Sequence, residues 1–435
     1  MAATAQSPEP PAPSDFVEDT PPQSSWNAPL RIPAFRLLCI TQLATGMRMP
    51  MAFITQAWYV NTVAPESQRI LLLGLLATLR GAVFLAYVVF GGAFADRYPR
   101  RAMLLISHAI AFSSTLLIGG LFFLPGASEG DGPWLWIMFA LFTGFGLINA
   151  QDLPTRNAMI ADAVPTSMLT SAITIFSMCL SITMLIASPI TGEVIDRFGF
   201  GTTYLFAGIG HVIVIAAVLR MHAGESAADP DAAGESVLAN IRTGLSRLRT
   251  DPVVRWVVIA SWVSFTLGMS VMGLLIAAWT RDILGLDAAG WGVLMVAWGG
   301  GGVLASGALA SRGEFGRKGP LYLAAILIFG LSVTAFGFSR GFVLAFIFNG
   351  IAGGMQQWIR ILSTASLQHA VPNHVLGRVM SLLMLSQGIA QTFGLLIGAI
   401  GQWIGLEVLY PSAGIAITSF AVFLAVTQRS LRQLD

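Results

Sequence analysis

The feature that most constrains this chain is its succession of long apolar runs. Each run has roughly twenty residues, which is the length that spans the hydrocarbon core of a bilayer. In lipid a backbone must satisfy its hydrogen bonds within the segment, so each run is predicted to be a helix. The runs lie near 35–61, 70–95, 102–124, 134–158, 167–193, 201–221, 253–281, 288–311, 319–338, 341–366, 377–404 and 408–428. The sequence therefore predicts an all-α polytopic membrane protein with twelve transmembrane helices.

Composition supports this interpretation and excludes other classes of protein. Hydrophobic residues make up 55% of the chain and charged residues 11%, and the mean hydropathy is +0.73, far from the values of soluble domains. The net charge is only +2 and the arginines fall in short connectors, so nucleic acid is not a predicted partner. The chain has no Gly-rich phosphate loop, no His-rich metal spacing and no Gly-x-Ser-x-Gly elbow. We therefore expect neither an enzyme nor a bound cofactor or metal.

A charged hinge, residues 91–101, separates the second and third apolar runs. Its spacing Gly92-x3-Asp96-Arg97, followed by Arg100 and Arg101, resembles the loop between the second and third helices of the major facilitator superfamily. A degenerate copy follows at residues 307–312, with Ser311 where the acid would be. An ordinary positive-inside loop is the alternative. The resemblance implies two pseudo-symmetric six-helix bundles and a gating role for hinge residues, which are Gly92, Asp96, Arg97 and Arg101.

The two halves of the chain also look like repeats, as in many transporter folds. Ala163-Val164-Pro165 is echoed 207 positions later by Ala370-Val371-Pro372. A duplicated six-helix unit explains both this echo and the second copy of the hinge. The predicted organisation is a disordered cytoplasmic tail (1–33), an N-terminal bundle (34–221), a linker (222–252), a C-terminal bundle (253–428) and a C-terminal tail (429–435).

The distribution of basic residues predicts the orientation in the membrane. Connectors on one side hold most of the arginines outside the helices, and this side is expected to be cytoplasmic. The other side holds only Arg69, Arg197, Arg281 and Arg340. Both termini are therefore predicted to lie in the cytoplasm, with the protein in the inner (plasma) membrane. The end of the linker carries Leu245 and Leu248 at helical spacing among arginines, which predicts an amphipathic helix on the lipid surface.

Polar residues within the apolar runs predict a central cavity, because a charge at membrane depth is costly and tends to face water or a partner. In the first, fourth and tenth helices such residues recur every three or four positions and so share a face. These helices, with the seventh, line the substrate path in the superfamily that the chain resembles. Helix-to-helix hydrogen bonding is the alternative role. The candidate substrate-binding residues are Thr45, Arg48, Met51, Asn149, Trp262, Gln356 and Arg360.

Further motifs resemble the enterobactin-exporter and macrolide-efflux branch of the superfamily. An arginine sixteen residues before the hinge acid, here Arg80, is common in that branch; a structural or gating role is expected for it, with substrate contact as the alternative. Pro189 and Gly192 are what remains of the antiporter signature in the fifth helix, and gating is expected there too. The resemblance implies a secondary active transporter, an exporter working by alternating access. An importer of an organic solute, or a non-transporting sensor on the same scaffold, are the alternatives.

Energy coupling to protons needs a group whose protonation changes during transport. The candidates are Asp152 with Arg156, as a switchable pair or a static one, and Glu193. His108 and His211 lie inside helices, where a lone histidine is interpreted as a packing residue. Because no acid is expected beside Arg48 or Arg360, the sequence predicts a substrate with an anionic or strongly accepting group; broad multidrug export is the alternative. The predicted partners are this small molecule, the proton and membrane lipid, with the protein as a monomer.

Overall fold

A computed structural model describes seven stretches of the chain. They are residues 27–95, 99–149, 152–165, 168–221, 245–310, 317–371 and 373–433. The predicted N-terminal tail up to residue 26, hinge residues Asp96 and Arg97, most of the linker and the second copy of the hinge at 311–316 lie outside these stretches. The described residues form helices and contain no strand.

The N-terminal half contains six labelled helices. They are α1 (Pro33–Val63), α2 (Arg69–Ala95), α3 (Arg100–Leu121), α4 (Trp134–Asn149), α5 (Asp152–Ala163) and α6 (Leu169–Leu219). The long helix α6 is two helices joined at Gly199, whose φ of 79° and ψ of 176° are not helical. A side chain at that φ would be strained, so glycine permits the break.

The C-terminal half follows the same plan after a linker whose residues 245–250 are helical. Its helices are α7 (Pro252–Met272), α8 (Leu275–Asp282), α9 (Ala288–Ala310), α10 (Lys318–Phe338), α11 (Phe342–Ala370), α12 (Asn373–Thr392), α13 (Gly394–Ile404), α14 (Leu406–Thr427) and α15 (Arg429–Arg432). Asp251 starts α7, because its carboxylate accepts hydrogen bonds from the amides of Val253 and Val254 at 2.9 and 3.2 Å.

In the described residues, ten helices are long and apolar enough to cross a membrane. Gly199 divides one of them in two, and α4 contributes a shorter apolar helix, Trp134–Gly146, so the predicted twelve spans are accounted for. Large apolar side chains are exposed on the outer faces of the helices, as in the stripe Ile106, Ile110 and Leu117 of α3. Such faces suit contact with lipid, and the protein is a multi-pass membrane protein.

Matching features in the two halves confirm their repeat relationship. Gly405, between α13 and α14, has a φ of 82° and lies 206 positions after Gly199, close to the offset of 207 seen in the sequence. The buried tyrosines Tyr204 and Tyr410 are also 206 positions apart, and each sits in an aromatic cluster. The Tyr204 ring stacks on the Phe142 ring, and the ring centroids of Tyr410 and Trp279 lie 4.7 Å apart.

The bundle has two distinct ends. At the terminal end lie the start of α1, the end of α6 and the start of α7, next to the linker; here Arg101 donates a hydrogen bond to the Leu219 carbonyl at 2.9 Å, joining α3 to α6. At the opposite end lie the connectors between α1 and α2 and between α8 and α9. The two names are used in this sense below.

Glycines let the two halves approach closely. A Cβ atom on Gly74 of α2 would lie 2.3 Å from the Gly394 carbonyl oxygen of α13, and one on Gly192 of α6 would lie 2.2 Å from the Ala288 carbonyl oxygen of α9. Only a residue without a side chain fits at such points. The interface between the halves is therefore built from α2 against α12 and α13, and from α6 against α9.

Candidate functional site

A buried cluster of charged and polar side chains lies inside the N-terminal half, and Asp152 is at its centre. Asp152 is the first residue of α5 and is 5% exposed. Its Oδ2 accepts hydrogen bonds from Arg156 Nη2 at 2.8 Å and from Arg48 Nη2 at 3.3 Å, while its Oδ1 lies 3.1 Å from His108 Nε2. Side chains from three helices, α1, α3 and α5, thus contact one carboxylate.

Arg156 is held more firmly than Arg48. It is 1% exposed, and its Nη1 donates to the side-chain oxygen of Gln42 and to the Thr41 carbonyl of α1. The aliphatic part of Arg48, halfway along α1, packs on Gly210 of α6. Among the described residues, Nε of Arg48 has no hydrogen-bond partner. Arg48 donates to one described partner, Asp152, whereas Arg156 donates to Asp152, Gln42 and Thr41, so Arg48 has fewer restraints.

Two histidines extend the cluster across the bundle. His108 Nδ1 of α3 lies 3.0 Å from His211 Nδ1 of α6, and the second nitrogen of His108 faces Asp152. His211 is fully buried, and Phe145 packs against its ring edge-on at 6.2 Å between centroids. Each histidine is hydrogen-bonded, as expected of a packing residue, but neither stands alone, because the two rings contact each other beside Asp152. The sequence did contain a signal for this contact. Each histidine lies eight residues from the end of its helix that is at the terminal end of the bundle, so the two histidines lie at the same depth.

The expectation that Arg48 has no acidic partner is wrong. Arg48 forms an ion pair with Asp152, which is 104 positions away in the chain. The helical pattern of α5 correctly places Asp152 and Arg156 on one face, but no local pattern could show which residue of α1 meets them. Arg48 thus shares with Arg156 a carboxylate that the sequence analysis paired with Arg156 alone.

Arg360 has different surroundings in the C-terminal half. It is exposed, and its described hydrogen bond is to the side-chain oxygen of Gln357, one turn earlier, at 2.8 Å. At about 100° per residue, Arg360 lies roughly 140–180° around α11 from the exposed apolar side chains of Leu344, Ile347 and Ile351. If those side chains face lipid, Arg360 points away from it.

The other predicted substrate-binding residues vary in placement. Thr45 and Gln356 are buried, and in the described residues neither Thr45 Oγ1 nor the amide atoms of Gln356 have a hydrogen-bond partner. Met51 is buried in α1. Trp262 donates its indole N–H to the Leu382 carbonyl at 2.9 Å, so its polar group joins α7 to α12. Asn149 ends α4, and its side chain lies outside the described set.

The predicted gating residues of α2 and the hinge differ in their surroundings. Asp96 and Arg97 lie outside the described residues, and Gly92 is in the last turns of α2. Arg80 donates to the Gln56 side-chain oxygen at 3.2 Å, and its guanidinium lies 4.8 Å from the centroid of the Phe53 ring. Gln56 in turn donates to the Tyr204 hydroxyl at 2.7 Å. Arg80 is therefore part of a polar chain that joins α2, α1 and α6.

The remaining predicted residues of α6 lie towards the opposite end. Pro189 is inside the helix and, with Gly192, forms the close contact with α9. Glu193 forms an ion pair with Arg197 one turn later, and both side chains are largely exposed. Among the three predicted proton-coupling residues, the structure brings together Asp152 and Arg156, and it places Glu193 apart from them.

Polar contacts join the two halves at the opposite end. Arg69 Nη2 of α2 lies 2.7 Å from Asp282 Oδ2 of α8, and Asn61 Nδ2 donates to the Ala277 carbonyl at 3.0 Å. The Gln402 side chain accepts from the Ile70 amide at 3.0 Å. Burial raises the pKa of the Asp282 carboxyl, and the charges of Arg69 and Arg281 oppose that rise. These contacts close the opposite end.

The architecture of two six-helix repeats agrees with a comparison against known families. The family model described as Major Facilitator Superfamily matches residues 36–395, most of the chain. The chain belongs to the major facilitator superfamily. Its fold is therefore that of the secondary transporters of this superfamily, and the resemblance noted in the hinge is confirmed at the level of the family.

Relatives within the major facilitator superfamily are distant but cover nearly the whole chain. The staphyloferrin A transporter of Staphylococcus aureus is 22% identical over 375 residues, which are 86% of this chain and 91% of that protein. The multidrug efflux pump Tap of Mycolicibacterium fortuitum is 23% identical over 407 residues, 92% and 96% of the two chains. The inward-open structure of the xylose transporter XylE from E. coli superposes with a TM-score of 0.65 at 14% identity, covering 92% and 98%.

Proposed function

We propose that the protein is a proton-coupled secondary active transporter that exports a small amphiphilic organic molecule by alternating access. The observation that carries the proposal is the buried Asp152 cluster, in which one carboxylate is shared between two arginines and a histidine. Buried charges are costly unless paired, so a group that can change its pairing is suited to couple proton binding to helix movement. The sequence similarity to a siderophore transporter and to an efflux pump supports an organic substrate and export.

The closed end of the bundle supports alternating access and suggests which state the structure represents. Ion pairing of Arg69 with Asp282 and the close glycine contacts join the halves at the opposite end. With the terminal end on the cytoplasmic side, as the arginine distribution predicts, the central cavity that the sequence predicts would face the cytoplasm. This is the state from which an exporter takes up its substrate. The proposed location is the inner (plasma) membrane, and the proposed working unit is a monomer surrounded by lipid.

Arg360 is the residue that we assign to recognition of the substrate. It is exposed, it points away from the apolar outer face of α11, and its described partner is a neutral amide rather than an acid. A guanidinium in this position can pair with a carboxylate or another strong acceptor. Arg48 is assigned instead to the ion pair with Asp152. Its guanidinium becomes available to substrate only if that pair opens.

The test is transport by the purified protein in proteoliposomes with an imposed proton gradient. Matched fluorescent amphiphiles, the anion 1-anilinonaphthalene-8-sulfonate and the cation ethidium, serve as probes. We expect gradient-driven movement of the anion out of the compartment that corresponds to the cytoplasm. Arg360→Gln should reduce this movement about tenfold, the effect of losing one charge-assisted contact, whereas Arg340→Gln, in an exposed ion pair with Glu407, should not.

Three outcomes would contradict the proposal in different ways. Movement of neither probe, nor of a wider panel of organic anions, would favour a non-transporting sensor. Movement only in the opposite direction would indicate an importer. Faster movement of ethidium that is unaltered by Arg360→Gln would favour broad multidrug export, in which aromatic residues and methionines read the ligand.

A further inference from the structure

The two buried histidines have defined protonation states once the hydrogen bonds around them are followed. Asp152 accepts from two arginines, so its carboxylate is an acceptor on both oxygens, and His108 Nε2 at 3.1 Å must donate. In a neutral imidazole the other nitrogen is then an acceptor. His108 Nδ1 therefore accepts from His211 Nδ1 at 3.0 Å, which makes His211 the donor of that pair.

This assignment leaves one free basic nitrogen in the cluster. With its proton on Nδ1, His211 carries a lone pair on Nε2, and among the described residues this atom has no hydrogen-bond partner although the side chain is fully buried. A buried polar atom without a partner is uncommon and costly, and a role in proton transfer is one explanation for such an atom. The one species that needs no additional space at this nitrogen is a proton.

From this geometry, and resting on the proposed transport function, we infer that His211, His108 and Asp152 form a proton relay. A hydronium ion donates a proton to His211 Nε2 and leaves as water. The Nδ1 proton of His211 passes to His108 Nδ1, and the Nε2 proton of His108 passes to Oδ1 of Asp152. One N–H bond forms and one breaks on each imidazole, so both stay neutral with exchanged tautomers, and the single added proton ends as the O–H of a neutral carboxyl group.

The consequence of the relay is the release of Arg48. A protonated Asp152 no longer attracts guanidinium groups, and Arg48 is the less restrained of the two, because Arg156 keeps its bonds to Gln42 and Thr41. Freed from Asp152, Arg48 can turn towards an anion or water. The relay thus connects proton binding to the exposure of a positive charge in the middle of α1.

The charges facing the histidines set the direction of the pH effect. They are Arg48 from α1, Asp152 and Arg156 from α5, with uncharged Phe145 packed from α4. Two guanidinium groups and one carboxylate already give a net positive charge, so an added proton is unfavourable in the closed arrangement of this structure. The proton therefore binds preferentially to another state, in which the cluster meets water or an anion. Lowering the pH should shift the protein away from the conformation described here.

The inference is tested first by the tautomers of His108 and His211, with both of these residues unchanged. In nitrogen-15 NMR of the purified protein in lipid nanodiscs, with His222, His369 and His374 replaced by Gln, we expect at high pH a proton on Nε2 of His108 and on Nδ1 of His211. At low pH the two tautomers should exchange. A proton on Nε2 of His211 at high pH, or an imidazolium in place of the exchange, would overturn the relay.

The second test follows the conformation without any substrate. Labels at Ser67→Cys and Gly341→Cys, both exposed at the opposite end, report whether that end is open in a chain with Cys39 and Cys179 replaced by Ala. On lowering the pH from about 8 to about 5, where histidines titrate, we expect the ratio of closed to open protein to fall by up to about tenfold per pH unit for one proton. His211→Gln should remove this response and His222→Gln should keep it.

Asp282 needs its own control, because it responds to pH in the opposite sense. Burial raises its pKa in the closed state, so protons stabilise closure through Asp282, and this contribution is lost as the pH rises through the raised pKa. The His211→Gln effect must therefore persist in an Asp282→Asn background. An unchanged pH response in His211→Gln would overturn the relay even if transport is proton-coupled. If both tests of the relay give the expected result but no probe is transported, the proposed function is contradicted instead.

Discussion

Asp152 shows how a single residue can determine the charge balance of a membrane-buried site. Its carboxylate is the shared acceptor for Arg48, Arg156 and His108, and each of these side chains is almost completely buried. Removing one member of a buried ion pair leaves an uncompensated charge, whereas removing both partners can be nearly neutral. The cluster therefore predicts an asymmetry between single and double substitutions.

We expect Asp152→Asn to lower the free energy of unfolding by about 3–5 kcal/mol, the cost of leaving buried charges unpaired. The double variant Asp152→Asn with Arg48→Gln should recover part of that loss, because Arg156 stays buried without an acid, but it should not recover proton-coupled transport. Thermal unfolding of the purified variants, compared with uptake in vesicles, checks both statements.

The control is Asp162→Asn, which removes a carboxylate from the more exposed ion pair with Arg100. Its effect should stay below about 1 kcal/mol, as for surface ion pairs. If Asp152→Asn were as mild as Asp162→Asn, the central role of Asp152 would have to be abandoned.

At the scale of helices, glycine contacts separate two kinds of packing. Gly74 of α2 touches α13 across the interface between the halves, whereas Gly353 of α11 touches Trp298 of α9 within the C-terminal half. Under the proposed alternating access, contacts within a half should persist while the halves move, whereas these contacts between halves should be made in one state only. A methyl group added at each position should therefore have a different effect.

We expect Gly74→Ala to disfavour the closed opposite end by about 1–3 kcal/mol, the usual cost of overpacking, with little change in unfolding temperature. Gly353→Ala, where a Cβ would lie 2.2 Å from the Trp298 carbonyl oxygen, should lower the unfolding temperature instead. Labels at the opposite end and thermal unfolding distinguish the two effects. Gly120→Ala, which meets nothing within 4 Å, is the control, and equal behaviour of all three variants would refute this division.

At the scale of the whole molecule, the two halves are joined by polar contacts around Arg69 and Asp282. An exposed or half-buried ion pair contributes little stability by itself, so this pair can break and reform as the halves move. The pair of Arg340 and Glu407 has similar chemistry but lies within the C-terminal half. The Arg69–Asp282 pair can therefore be used to test motion between the halves, with the Arg340–Glu407 pair as a matched control that should not move.

Arg69→Cys and Asp282→Cys, joined by a bifunctional methanethiosulfonate long enough to span the replaced Arg–Asp pair, should trap the closed opposite end and stop transport, and a reductant should restore it. The pair Arg340→Cys and Glu407→Cys should cross-link without stopping transport. Both pairs are made with Cys39 and Cys179 replaced by Ala, and substrate flux is measured before and after reduction. Continued transport by the first pair in its cross-linked form would argue against alternating access through this end.

The sequence by itself determined the helices, the repeat and the family. Apolar runs of bilayer length, the glycine-acid-arginine hinge and the echo of Ala163-Val164-Pro165 are local or periodic signals, and lipid allows few alternatives for such segments. The pairing of Asp152 with Arg156 was also accessible, because residues four positions apart on a helix share a face. These parts of the fold depend on neighbours along the chain.

The tertiary structure decided which polar side chains meet. Arg48 reaches Asp152 across 104 positions, and His108 reaches His211 across 103, so no periodicity could reveal either contact. A buried charge requires a partner, and this requirement predicts that partners exist without naming them. The rotation and depth of each helix in its bundle make that choice, because they are set by packing of the whole half rather than by any one segment.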